Sequence, residues 1–166
     1  MVYLGNYNDW VQEHWITYML SVNGKLFPSS MEPDNLNNCA LTESKLDLTK
    51  IMSYYQYDED NTDFVVKPTW DTLKNHYWWM NKYLPGMILP MHKDYNEFSD
   101  VRRYVRYWMP LQDYERGHIF LYEDTLITNY KKGDLYMYEN EQAYHTGGNA
   151  GWTPRLVLNI TTWEDL

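Results

Sequence analysis

The sequence predicts a mainly β protein, a sandwich or barrel with helices packed against it. Short runs rich in aromatic and β-branched residues recur through the last hundred residues at roughly 8–12-residue spacing, the rhythm of layered or closed antiparallel sheets. Turn signals stand between them: ERG at 115–117, KKGD at 131–134 and GGNAG at 147–151. Aromatic residues make up 17% of the chain, with 17 Tyr and 8 Trp. Such side chains suit a pleated, half-buried surface.

Taken in order, residues 1–20 carry scattered aromatics and are expected to form a strand and a helix. Residues 28–47 contain two prolines and three asparagines and read as an irregular excursion. A second polar break is YDEDNTD at 57–63. The stretch WDTLKNHYWWMNKYL at 70–84 fits one helix, or a helix followed by a strand. Strand-like runs then follow: MILPMH (87–92), RRYVRYWMPL (102–111), HIFLYED (118–124), DLYMYE (134–139), AYHTG (143–147) and RLVLNITTW (155–163). We expect one domain over 1–166, with elements and loops over 1–69 set against a β-core over 70–166.

The bulk chemistry excludes several classes. Net charge is −9, so non-specific nucleic-acid binding, which needs a basic surface, is not expected. A single cysteine, Cys39, forms no internal disulfide and suits a reducing, cytoplasmic setting. The N-terminus MVYLGNYNDW lacks a basic-then-apolar leader, and no run is apolar enough to span a bilayer. A Gly-x-Ser-x-Gly elbow, a His-Glu-x-x-His pair and a phosphate-binding Gly-rich loop are all absent from the sequence.

One constellation carries chemistry. The segment YLPGMILPMHKDY, 83–95, ends in His92-Lys93-Asp94. Residues i and i+2 of a strand share a face, so His92 and Asp94 can aim at one point with Lys93 turned away. His145, in QAYHTGG, supplies a candidate third ligand. Two histidines and one carboxylate leave positions open on a metal, which suits non-haem Fe(II). A closed structural zinc site wants four ligands, usually with sulfur. His118 is the nearest competitor among the other histidines. Arg155 follows His145 by ten residues, across the GGNAGWTP turn. A hairpin through that turn would bring it to the same site, where a guanidinium can grip a carboxylate with two parallel bonds.

As a set, these residues resemble the Fe(II)/2-oxoglutarate-dependent oxygenases. YLPGMILPMHKD looks like the Tyr-x-Pro-Gly…His-x-Asp segment of prolyl-4-hydroxylase-like members, followed by a Gly133-Asp134 turn, His145 and Arg155. The resemblance covers residues 78–163 and implies a double-stranded β-helix core, a cupin-like jelly roll. It implies that His92, Asp94 and His145 bind Fe(II) and form the catalytic centre. It implies that Arg155 binds the distal carboxylate of 2-oxoglutarate. O2 would be the second co-substrate, and succinate and CO2 would be released as an unactivated C–H is hydroxylated. Aspartyl-hydroxylase-like members place an Arg and, two residues on, a His on one inner strand; here Arg106 and Trp108 fall on those positions and share a face. Trp108 departs from the pattern and offers one indole N–H. Tyr83 is expected to line the pocket. Leu89 stands where prolyl hydroxylases often carry tyrosine, which argues against proline as substrate.

A small-molecule or peptidyl substrate suits 166 residues. The excursion 28–63 is expected to frame its entrance. The acids Glu32, Asp34, Asp58, Glu59 and Asp60 hint at a neutral or cationic substrate. Two competing readings share the fold. A non-redox cupin-like metal- or ligand-binding protein would have no use for Arg155, and a metal-free recognition jelly roll would tolerate loss of His92 and Asp94.

Overall fold

A computed structural model describes residues 1–28, 53–94, 101–140 and 142–166. Most of the excursion expected at 28–47 lies outside them, as do Glu32 and Asp34. The chain order is β1 (Val2–Asn6), a 3-10 turn (Asn8–Trp10), α1 (Glu13–Ser21), β2 (Lys25–Pro28), β3 (Ser53–Tyr57), β4 (His76–Tyr83) and β5 (Ile88–His92). Then come β6 (Arg102–Pro110), β7 (His118–Tyr122), β8 (Thr125–Leu126), β9 (Asp134–Met137), β10 (His145–Asn149) and β11 (Arg155–Asp165).

Two antiparallel sheets result. The larger has the order β1-β9-β6-β11-β4-β3-β2, and the smaller β5-β10-β7-β8. From β4 onward the chain alternates between them except for the β7–β8 hairpin within the smaller sheet: β11 lies between β4 and β6, and β10 between β5 and β7. That winding is a double-stranded β-helix, the jelly-roll, cupin-like architecture expected from the sequence. Strands β1, β2 and β3 extend the larger sheet at its two sides.

No helix forms within 70–84 in the structure: a turn closes from Trp70 to Leu73 and β4 begins at His76. The reason is that both faces of β4 find apolar or enclosed surroundings. Trp78 and Met80 join Trp15 and Met19 of α1, together with Leu156, Leu158 and Ile160 of β11, in the core outside the barrel. Tyr77, Trp79, Asn81 and Tyr83 line the barrel interior. A period of two satisfies both layers at once, whereas a helix would scatter them. Each fully buried large side chain contributes about 1.5–3 kcal/mol to holding this outer layer.

Lys82 ties α1 to the sheet. It is 2% exposed, and its Nζ donates to the carbonyls of Met19 at 2.5 Å and Val22 at 3.1 Å and to Asn23 Oδ1 at 2.8 Å. The two carbonyls are acceptors at the C-terminal end of α1, where a cation also opposes the helix dipole.

The hairpin expected between His145 and Arg155 is not formed. β10 belongs to the smaller sheet and β11 to the larger, so residues 150–154 turn a corner between sheets. Arg155 pairs with Tyr83 in register and reaches the interior from the wall opposite β10. Among the described residues no helix is long and apolar enough to cross a membrane.

Candidate metal centre

The Pro85-Gly86 turn launches β5. Gly86 has φ +87°, a left-handed value that a side chain would strain. β5 then pairs with β10 so that His92 stands directly opposite His145. Their ring centroids are 4.4 Å apart. Each ring is oriented by the backbone two residues before it: His92 Nδ1 lies 2.7 Å from the carbonyl of Pro90, and His145 Nδ1 lies 3.0 Å from that of Ala143. Donation from Nδ1 leaves the Nε2 lone pairs directed at Asp94. His92 Nε2 is 3.4 Å from Asp94 Oδ1, and His145 Nε2 is 3.2 Å from Asp94 Oδ2. The potential ligand atoms of His92, Asp94 and His145 all lie within 4.8 Å of one another.

Both imidazoles are kept neutral. Burial, then the neighbouring His145 and Arg106, push the His92 pKa down to about 3 against the upward pull of its Pro90 bond. Burial and Arg106 lower His145 to about 4 against the Ala143 bond. A metal needs the neutral ring, so the pair is ready to ligate without losing protons. Arg106, expected beside the co-substrate, has its guanidinium Nη1 on Asp94 Oδ2. There it fixes the carboxylate that joins the two rings.

Arg155 occupies a different part of the same interior. It is 1% exposed. Its guanidinium carbon lies 5.1 Å from the Tyr83 ring, 5.7 Å from Trp108 and 5.9 Å from Phe120. Among the described residues its Nε, Nη1 and Nη2 have no hydrogen-bond partner. Burial raises the Tyr83 and Tyr130 pKa values, and the nearby Arg155 charge pulls both back; neither hydroxyl meets bonding geometry with it. Gly147 of β10 makes room for this group. A Cβ there would lie 3.0 Å from the Tyr83 hydroxyl and 3.2 Å from Arg155 Nη1. Trp108 stacks on Phe120 at 4.4 Å and 16° and serves as a wall beside Arg155. His118 is drawn away from the cluster, with Nδ1 3.3 Å from the Tyr130 hydroxyl.

The cluster and Arg155 open onto one cavity of about 520 Å³. Its lining includes Tyr83, Leu89, Trp108, Phe120, Tyr138 and Gly147 around the two groups. It also includes Tyr54, Gln56, Asp58, Glu59 and Asp60 from β3 and the turn after it, so the described end of the expected excursion does border the cavity. Sequence reading missed Asn81, Asn159, Gly147 and Tyr130. Strand alternation from Tyr83 and from Arg155 reaches the first two and was the available signal.

Fold and cluster together define a cupin-like jelly-roll protein with a two-histidine, one-carboxylate site able to hold a metal. No family model matches the chain, and no curated protein matches it. Similar solved structures include a predicted oxalate decarboxylase from Thermotoga maritima, 17% identical over 52% of this chain and 64% of that one, with a TM-score of 0.39. Another is a putative sugar phosphate isomerase from Acidithiobacillus ferrooxidans, 13% identical over 78% and 76%, TM-score 0.42. A third is a cupin 2 conserved barrel domain protein from Rhodopseudomonas palustris, 14% identical over 67% and 61%, TM-score 0.42. The chain therefore spans less than two thirds of the first and third of these structures. The fold assignment rests on the strand order and register described above.

Proposed function

We propose that this protein is an Fe(II)- and 2-oxoglutarate-dependent dioxygenase that hydroxylates an unactivated C–H of a small-molecule or peptidyl substrate. The observation that carries the proposal is Arg155. A buried guanidinium with three unpartnered nitrogens is costly unless an anion joins it. A dicarboxylic 2-keto acid offers such an anion at one end and a metal-chelating group at the other. The donor set suits iron: two neutral imidazoles and a carboxylate with open positions opposite.

Fe(II) held by His92 Nε2, Asp94 and His145 Nε2 would supply the chemistry that couples decarboxylation of 2-oxoglutarate by O2 to hydroxylation. The chain's own tasks are separate. Pro90 and Ala143 carbonyls hold the two rings in their ligating tautomer. Arg106 orients Asp94. Arg155 binds the distal carboxylate through charge-assisted bonds, each worth about 1.5–3 kcal/mol. Tyr83, Trp108, Phe120 and Tyr138 exclude water from the space between, where low dielectric strengthens every charged contact.

The test is a crystal grown with Mn(II) and N-oxalylglycine, an unreactive mimic of the co-substrate. The metal is expected on His92, Asp94 and His145, with the mimic's distal carboxylate on Arg155. A mimic bound elsewhere, or none bound at saturating concentration, would refute the reading in favour of a non-redox metal- or ligand-binding cupin.

A further inference from the structure

The cavity's charge is unbalanced beyond what metal and co-substrate require. Among its lining residues, Arg106 is matched by Asp94 and Arg155 is assigned to the co-substrate. That leaves Asp58, Glu59 and Asp60, and among the described residues none of the three forms an ion pair. Lys67 borders the neighbouring groove with Glu59 and Asp60 but makes no such pair either. Asp58 is held rigidly: it accepts from Gln56 Nε2 at 2.9 Å and from the Asp60 backbone N–H at 3.0 Å.

A second observation points to what sits there. Asn81 is 6% exposed and lines the same cavity, and among the described residues its Oδ1 has no donor. It stands opposite Gln56 in the β3–β4 register, beside the residue that anchors Asp58. An enclosed acceptor without a donor is costly, and it asks for a ligand N–H. Asn159, also lining the cavity, has its Nδ2 buried without an acceptor among the described residues. Two aromatic faces complete the wall: Tyr77 and Trp79 stack at 5.5 Å and 20° and also line the cavity. Carboxylates beside aromatic faces are the surroundings an organic cation prefers.

We infer that the substrate carries a side-chain ammonium or guanidinium group, which docks among Asp58, Glu59 and Asp60 against Tyr77 and Trp79 and donates to Asn81 Oδ1, while its carbonyl or carboxyl group accepts from Asn159. This rests on the dioxygenase reading, which makes the remainder of the cavity a substrate subsite. A free basic amino acid and a lysyl or arginyl residue in a peptide share this chemistry.

The experiment is calorimetric titration of the full chain, loaded with Mn(II) and N-oxalylglycine, with four cationic probes. These are L-lysine, L-arginine and the blocked tripeptides acetyl-Gly-Lys-Gly-amide and acetyl-Gly-Arg-Gly-amide. Norleucine and citrulline, free and within the same tripeptides, are the counterparts that lack only the side-chain charge. At least one cation is expected to bind at least tenfold more tightly than its counterpart, weakening as salt rises. The free or peptide arm that shows the larger preference identifies the source. E59Q/D60N, two exposed isosteric changes, is expected to remove most of that preference without altering N-oxalylglycine binding. Equal affinity for cation and counterpart, or a preference untouched by E59Q/D60N, would overturn the inference. Repeating the titration without metal or mimic separates the two claims. Cation preference without N-oxalylglycine binding removes the dioxygenase reading and keeps this site; the reverse keeps the dioxygenase and removes the cation.

Discussion

His92 and His145 face each other across the β5–β10 ladder, and each directs Nδ1 to the carbonyl two residues earlier in the chain, Pro90 for one and Ala143 for the other. The metal-ready tautomer of each ring is therefore set by local backbone, before any ion arrives.

This pairing has a pH signature. Their folded pKa values, about 3 and about 4, lie below the ordinary value of about 6.5 for histidine. As pH falls the unfolded chain takes up protons first, so this contribution to stability is full above about pH 6.5 and declines down to the folded values. Urea midpoints of the metal-free protein are expected to drop between pH 7 and pH 4. H145Q, which retains one of the two rings, is expected to show a shallower drop. H145Q should also weaken Mn(II) binding by more than about 100-fold, beyond the cost of losing an outer partner of a ligand.

The Arg106–Asp94 contact is an enclosed ion pair, with side-chain exposures of 7% and 23%. Removing one member strands the other. D94A is expected to destabilise the metal-free protein by about 3–5 kcal/mol, and D94A/R106L to recover most of that loss. Chemical denaturation of the two variants and the parent measures the coupling. Equal stability of D94A and the parent would show that the pair contributes nothing.

Arg155 sets stability against binding. R155M fills the same volume without an unpaired charge, so the protein without metal or co-substrate is expected to gain about 1–4 kcal/mol. Loss of two charge-assisted bonds of about 1.5–3 kcal/mol each should weaken N-oxalylglycine binding by more than about 100-fold. Mn(II) affinity should stay unchanged. Thermal unfolding and calorimetry on one preparation read all three quantities, and a destabilised R155M would contradict the account.

Gly147 packs closely against Tyr83 and Arg155. G147A places a methyl against the Tyr83 hydroxyl and Arg155 Nη1, and such overpacking costs about 1–3 kcal/mol. N-oxalylglycine should bind about tenfold more weakly while the Mn(II) affinity is kept. Parallel titrations of metal and mimic provide the check.

Much of this molecule was legible in its order of residues. Turn residues and aromatic runs marked six of the eight jelly-roll strands, because strand propensity and turn chemistry act locally. The spacing of His92 and Asp94 marked them as partners, although β5 ends at His92 and Asp94 lies just beyond it. Local pattern read 70–84 as one helix or a helix followed by a strand. Only burial of both faces, by α1 outside and the cavity inside, decides that β4 is a strand. The partner of Arg106, the corner that carries Arg155 to the opposite sheet, and the meeting of Asn81 with Gln56 were decided by tertiary structure alone. Each is a contact between residues far apart in the chain, and its energy depends on what the other sheet places opposite. A sequence specifies which side chains can share a face; the closing of two sheets over a cavity determines which of them meet.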